Sequence, residues 1–377
     1  MSEMVVPDGW GVVKLVDLTK RIRGVVDKDP QHILTISSIQ GWVDQRDKWA
    51  RNMAGDSLLK YTKLSKGQFS YNRGNSKTFP QGCVFRLNKW TEAAVPNVYH
   101  SFEISSGNLN TDYLQQYFWS GLLDGQLRKV ITSSVRGNGL LNITADTFFN
   151  LYVDIPPLPE QQKIASILTS VDEVIEKTQS QINKLQDLKK GTMNELLTKG
   201  IGHTEFKDSP VGKIPKGWEV STTGEIATSI VPGRNKPKAF DGEIPWITIS
   251  DIDDIYVGES KLGFGVTRKS LSEAQGKTVP MGSVVMTVVG EFGISAVASK
   301  EVVINQQLHG FVCTEKVFPL FLCFCLINQK HQMEKLATQT TISYMNKENA
   351  ESLRIPLPPL PEQQKIASIL SSMDSHI

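Results

Sequence analysis

From Ile164 onward the apolar residues recur in alternating steps of four and three. Ile164, Leu168, Val171, Ile175, Ile182, Leu185 and Leu196 fall on one stripe, with Thr178, Lys189 and Thr192 as polar exceptions. That spacing is the seam of a coiled-coil helix. Only Gly191 interrupts the span between Pro159 and Lys199, so the pattern predicts one helix over most of it, about 55–60 Å long at 1.5 Å per residue. Its charges cancel: six lysines (Lys163, Lys177, Lys184, Lys189, Lys190, Lys199) against six acids (Glu160, Asp172, Glu173, Glu176, Asp187, Glu195). A long amphipathic helix with balanced charge is a spacer or a docking element, not a DNA-binding face. The glycines and Pro210 of residues 200–210 end it and form a linker.

Elsewhere the apolar residues come in short runs between turn residues. Strands are predicted at Gly82–Leu87, Lys129–Val135, Ile244–Ile249, Gly282–Val289 and Ser295–Ala298, and helices at Asp112–Leu123 and Pro319–Ile327. The two stretches flanking the long helix therefore read as α+β units, each dominated by a sheet. The longest apolar run, Val317–Ile327, is well short of the ~20 residues a membrane span requires and contains Pro319, so it reads as a buried helix. Residues Met1–Trp10 lack the basic and apolar regions of a signal peptide.

Part of this pattern occurs twice. Pro156–Leu168 returns unchanged as Pro358–Leu370, an offset of 202 residues, and Ser170, Asp172 and Ile175 match Ser372, Asp374 and Ile377. Upstream, Ile143–Leu151 corresponds loosely to Met345–Leu353, and Val6–Val12 echoes Ile214–Val220 around a shared Pro-x-Gly-Trp. The intervening ~130 residues of each copy differ. An identical segment beside divergent ones implies one common task and two distinct ones. Pro156, Pro157 and Pro159 end the preceding strand and suit a first helical turn, where Glu160 complements the helix dipole. The boundaries expected are a first sheet domain at 1–155, a helix at 156–200, a linker at 201–214, a second sheet domain at 215–355 and the start of a second helix at 356–377. To match the first helix, that second one is expected to need roughly twenty-five more residues.

Composition adds limits. At 377 residues, 40% hydrophobic and 21% charged, the chain suits about two or three domains with their own cores. Net charge is only +2, yet no acid lies between Asp56 and Glu92, an interval holding Lys60, Lys63, Lys66, Arg73, Lys77, Arg86 and Lys89 interleaved with Tyr61, Phe69, Tyr71 and Phe79. Two shorter acid-free windows carry Arg128, Lys129 and Arg136, and Arg234, Lys236 and Lys238. Local basic surface on a near-neutral protein suits reversible phosphate contact. Cys83, Cys313, Cys323 and Cys325 form no C-x-x-C pair and read as buried thiols in a reducing cytoplasm. The chain has no Asn-Pro-Pro-Tyr or Asp-Pro-Pro-Tyr methylation motif, no Gly-rich cofactor loop and no G-x-x-x-x-G-K-[ST]. Its six histidines are scattered, and Asp251, Asp253 and Asp254 read as turn caps. No catalytic residue, metal or cofactor is expected on this chain.

The duplicated Pro157-Leu-Pro-Glu-Gln-Gln-Lys-Ile-Ala165 ahead of a long helix carries a family likeness, joined by Ile244–Asp251, Phe69 with Tyr71-Asn72-Arg73, Asn305-Gln306-Gln307 and Trp218-Glu-Val220. Over essentially the whole chain it resembles the DNA-specificity subunits of type I restriction–modification systems. That resemblance implies an α+β fold of two tandem sheet-rich target recognition domains, each reading one half of a split duplex DNA sequence. They are joined by long helices that pair as an antiparallel coiled coil, which sets the gap between half-sites and docks two modification (methyltransferase) subunits. Ile164, Leu168, Val171, Ile175, Ile182, Leu185, Ile366 and Leu370 would serve that pairing and docking, and the helices could also support self-association. Restriction (motor–nuclease) subunits would join the core. S-adenosylmethionine, ATP and magnesium would sit on the partners, in the cytoplasm and away from any membrane.

Base edges are read by Arg or Lys on guanine and by Asn or Gln on adenine, with hydroxyls on phosphates. In the first half the candidates are Tyr71, Asn72, Arg73, Asn75, Ser76 and Lys77, then Arg136 and Asn138 between glycines. In the second half they are Arg234, Asn235, Lys236 and Lys238, then Gln339, Thr340, Thr341 and Ser343. Two other readings stay open on the residues alone: a methyltransferase or nuclease fusion with drifted motifs, and a coiled-coil scaffold without a DNA role.

Overall fold

The computed structural model describes residues 6–26, 30–37, 40–48, 55–74, 76–131, 140–233, 235–338 and 342–374. It divides into two compact units, Met1–Lys177 and Thr178–Ile377.

The first unit is built on an antiparallel sheet in the order Thr19–Arg21, His100–Ile104, Phe69–Asn72, Cys83–Arg86. The second uses the order Ala227–Ile230, Leu308–Cys313, Val284–Thr287, Ser295–Ala298, Tyr256–Val257, with the last strand parallel to its neighbour. Its first four strands match the first unit strand for strand. Register agrees too: Phe69 pairs with Phe102 and Tyr71 with His100, as Val284 pairs with Phe311 and Met286 with His309. A parallel contact flanks each sheet, Ile33 with Ala94 and Trp246 with Val303. Each unit is closed by a two-stranded ribbon, Gly11–Lys14 with Tyr152–Ile155 and Glu219–Thr222 with Arg354–Leu357. The ribbon sets Pro-x-Gly-Trp beside the proline-rich start of the repeated motif.

The two cores differ. The first is aromatic, with Phe69 stacked on Phe102 at 5.3 Å and Tyr71 on Phe148 at 4.4 Å between ring centres. The second is largely aliphatic, and the helix Pro319–Asn328 lies on Val284–Thr287 and Ser295–Ala298. Phe321, Cys323, Phe324 and Cys325 of that helix are fully buried, so truncating either phenylalanine to alanine would cost about 3–5 kcal/mol. Burial pushes the Cys323 thiol up to about 12 and that of Cys325 well above its usual range, which keeps both neutral.

The long helix spans Leu158–Lys199, beginning in the first unit and ending in the second. Gly200 stops it at a φ of +67°, and a Cβ there would lie 2.6 Å from both the Glu362 carboxylate and the Trp218 ring. Glycine is needed both for the left-handed turn and for space. Along the middle of the helix Leu168, Val171, Ile175, Ile182 and Leu185 are exposed, while Ile164 is half-buried. Ile167, Val174 and Leu188 are exposed as well, which makes the stripe wider than the spacing alone predicted. Ile366 and Leu370, expected on the same kind of seam, are instead fully buried in the second unit's core together with Leu197. They belong to the second helix, Leu360–Asp374.

The first two residues of one predicted strand are helical instead. Asp124–Val130 is helical and buries Leu127, one turn beyond the buried Leu123 at its N-cap. Of the expected strand Lys129–Val135, residues 132–135 lie outside the described residues.

Candidate nucleic-acid interface

The repeated motifs hold the start of each helix, and they do so alike. Gln161 is fully buried: its Oε1 accepts from the Asn110 N–H at 2.7 Å, and its Nε2 donates to the carbonyls of Asn108 at 2.9 Å and Pro156 at 2.8 Å. Gln363, equally buried, accepts from the Phe318 N–H at 2.8 Å and donates to the carbonyls of Lys316 at 3.0 Å and Pro358 at 2.8 Å. Trp10 Nε1 donates to Glu160 at 3.2 Å, and Trp218 Nε1 donates to Glu362 at 3.0 Å. The Pro-x-Gly-Trp echo and the proline-rich repeat are therefore two halves of one clasp. In the second unit the clasp does more: Glu362 Oε1 also accepts from the Ile201 N–H at 3.1 Å and lies 2.8 Å from His203 Nε2.

The sequence candidates lie elsewhere, at one end of matching interior strands in the two sheets. In the first unit Tyr71 is fully buried and its hydroxyl donates to the Gln81 carbonyl at 2.6 Å, so this residue, expected at DNA, belongs to the core. An alternating strand sends every second side chain inward, and Tyr71 shares the inward face with Phe69. Arg73 donates from Nε to the Val98 carbonyl at 3.0 Å and from Nη1 to the Ile143 carbonyl at 3.2 Å. Its guanidinium is a staple between two loops. Asn72 Oδ1 accepts from the Gly74 N–H and Ser76 Oγ from the Phe79 N–H, each shaping its own turn, while Lys77 is exposed. Because the Leu141 N–H donates to the Arg73 carbonyl, Arg73 joins Val98 and residues 140–143 at the end of the strand Phe69–Asn72. Asn75, Arg136 and Asn138 lie outside the described residues.

The same end of the matching strand collects the candidates of the second unit. Asn235, Lys236 and Lys238 are exposed, and Lys236 sits 5.0 Å over the Phe240 ring. Asn235 and Lys236 line a cleft of about 270 Å³ with Trp246, Lys277 and Asn305–Gln307. Gln306 Nε2 donates to the Gly233 carbonyl, the Val288 N–H to the Gln307 carbonyl, and the Gly290 N–H to the Ser343 carbonyl. These bonds draw the loops around 235, 306 and 343 together beyond Val284–Thr287. Arg234, Gln339, Thr340 and Thr341 lie outside the described residues.

Two equivalent residues were missed. His100 and His309 occupy the same sheet position, and burial lowers each to about 4, aided at His100 by the nearby Arg73 charge. A signal existed: His100-Ser-Phe102 and His309-Gly-Phe311 share a pattern at an offset of 209, hidden because the main repeat runs at 202. Asp251 accepts from the backbone N–H groups of Thr248 and Lys261 and so caps its turn, and Asp253 pairs with Lys261 at 2.8 Å. Among the described residues no three His, Cys, Asp or Glu side chains cluster as a metal site, and no helix is long and apolar enough to cross a membrane.

Two copies of one sheet scaffold, clasped alike to helices but carrying different side chains at one end of matching strands, define a duplicated recognition protein. A profile of the type I restriction modification DNA specificity domain matches residues 69–187 and 215–377. The type I restriction enzyme MjaVIII specificity subunit of Methanocaldococcus jannaschii is 25% identical over 407 residues, covering 100% of this chain and 89% of that protein. A candidate MjaX specificity subunit from the same organism is 33% identical over 390 residues, covering 99% and 88%. Among solved structures, the type I restriction–modification S subunit from M. genitalium superposes with a TM-score of 0.57 at 13% identity, covering 100% of this chain and 91% of that one. The chain belongs to this family. It is a type I restriction–modification specificity subunit, a DNA-recognition chain that is itself non-catalytic.

Proposed function

We propose that the chain reads a bipartite duplex DNA target, one half-site per sheet domain, at 1–155 and 215–355, with 201–214 as the linker between the first helix and the second domain. The observation that carries this is the duplication itself: one topology and one helix clasp used twice, with loop edges that differ. Two different edges on one scaffold suit two different half-sites. The helices at 156–200 and 356–377 set the gap and hold partners. The exposed apolar stripe Leu168–Leu188 is the surface that two modification subunits, or a second copy of the helix, would cover. Restriction subunits join that core in the cytoplasm, and S-adenosylmethionine, ATP and magnesium are bound by the partners.

The test is domain exchange, read by methylome sequencing of cells that carry the system. Replacing 1–155 with another such domain changes one half of the methylated sequence and leaves the other half intact; altered bases in both halves would refute modular reading. Inserting four residues at Gln179 adds about 6 Å of helix and lengthens the gap between unchanged half-sites. A chain that assembles with its partners yet directs no site-specific methylation would leave only the scaffold role.

A further inference from the structure

The two sheets share one more element, which composition did not single out. In the first unit Pro96–Tyr99 is a tight turn closed by the Tyr99 N–H on the Pro96 carbonyl at 3.0 Å; in the second, Asn305–Leu308 is closed by the Leu308 N–H on the Asn305 carbonyl at 3.1 Å. Each turn leads directly into the strand that carries one of the paired histidines, His100 or His309. Each is held from the neighbouring strand at the same carbonyl, that of the third turn residue: Val98 O receives Arg73 Nε, and Gln307 O receives the Val288 N–H at 2.9 Å. Each is also tied to the strand making the parallel contact. The Tyr99 hydroxyl bonds Thr35 Oγ1 at 3.0 Å, and the Asn305 N–H donates to the Ile247 carbonyl at 3.0 Å.

What these fixed turns display differs. The two central residues are exposed in both, Asn97-Val98 in the first unit and Gln306-Gln307 in the second. In the second, Asn305 holds the Gln307 amide: its Nδ2 donates to Gln307 Oε1 at 3.0 Å, and its Oδ1 accepts from the Gln307 N–H at 3.1 Å. Gln307 Oε1 keeps a second lone pair beside its own Nε2 donors, the acceptor–donor edge that matches adenine N6 and N7. An amide fixed before contact loses little side-chain entropy on binding. Lys236 and Lys277 line the same cleft and suit flanking phosphates.

We propose that the turns at Asn97-Val98 and Gln306-Gln307 are the paired base-reading positions of the two domains, with Gln307 selecting adenine and Asn97-Val98 presenting an amide beside an apolar contact suited to a thymine methyl. This rests on the two-domain DNA-reading function above. Both positions lie outside the loops that charge and composition pointed to.

The test exchanges the turns in the full chain, co-expressed with its modification and restriction partners, with methylome sequencing as the readout. Gln306→Asn with Gln307→Val changes bases in one half-site only, and Asn97→Gln with Val98→Gln changes bases in the other. Gln307→Ala alone lowers discrimination at one adenine by about 5- to 150-fold. An unchanged target from variants that co-purify with their partners would overturn the proposal. Loss of methylation at every site by assembled variants would also overturn it, because turns that merely support the fold give that result. Absence of site-specific methylation from the unmodified complex would instead refute the DNA-reading function, so the two failures are separable.

Discussion

Gln161 and Gln363 sit 202 residues apart in identical sequence and make the same three hydrogen bonds, whereas Asn97-Val98 and Gln306-Gln307 sit in identical turns and share no side chain. The difference shows what each region is constrained by. A buried glutamine that satisfies one backbone N–H and two carbonyls has no substitute of the same shape and donor pattern, so both copies keep it. An exposed turn whose backbone is held by its neighbours leaves its central side chains far less constrained by the interior. The duplicated protein is thus uniform where polar groups must be matched in the dry interior and different where the surface meets something else.

The comparison can be broken most severely at the glutamines. Gln161→Leu and Gln363→Leu each remove the partner of three backbone groups, one of them fully buried, and are expected to cost about 3 kcal/mol, by similar amounts in the two units. Urea unfolding of the full chain measures this, and a loss in one unit alone would mean that the clasps are not equivalent.

The two histidines of the matching strands give the next effect. Both have a folded pKa of about 4 against the ordinary 6.5, so the neutral form is favoured in the fold. Their contribution is fully present above pH 6.5 and is lost as pH falls toward 4, by about 2–3 kcal/mol for each histidine. His309→Met should flatten the pH dependence of the second unit's unfolding midpoint. It should cost little at pH 7, because His309 Nδ1 is buried without a partner.

A smaller contrast separates the carboxylates. Glu362 accepts from Trp218 and Ile201 and contacts His203, while Glu160 meets Trp10 at an exposed position. Glu362→Ala is expected to cost about 2 kcal/mol, and Glu160→Ala less than about 1 kcal/mol, by the same unfolding measurement. The smallest effect on stability comes from Lys236→Ala. It should leave the fold intact and lower the slope of log binding constant against log salt by about 1, measured on the assembled complex.

Much of the architecture was legible because it follows local rules. The four–three spacing of apolar residues specified the long helix, and the offset-202 repeat announced the duplication before any strand was placed. The strands Ile244–Ile247, Val284–Thr287 and Ser295–Ala298 fell inside predicted runs. The strand ends that carry the candidates were harder to read. Tyr71 and Arg73 looked like surface donors because they lie in an acid-free window, but strand alternation turns Tyr71 inward and two loop carbonyls engage Arg73. Lys129 and Val130 looked extended because β-branched residues follow them, yet Leu123 and Leu127 draw that segment into a helix.

The sequence by itself determined the long helix, its balanced charge, the two copies and the prolines and glycine that start and stop that helix, since each depends on residues near one another in the chain. Only the tertiary structure decided that a tryptophan and a proline-rich motif ~150 residues apart form one clasp. It alone set the two histidines at one sheet position, and two unlike turns at the same end of matching strands. These facts depend on strand pairing, and pairing is governed by which faces bury together, a property no local stretch of residues carries.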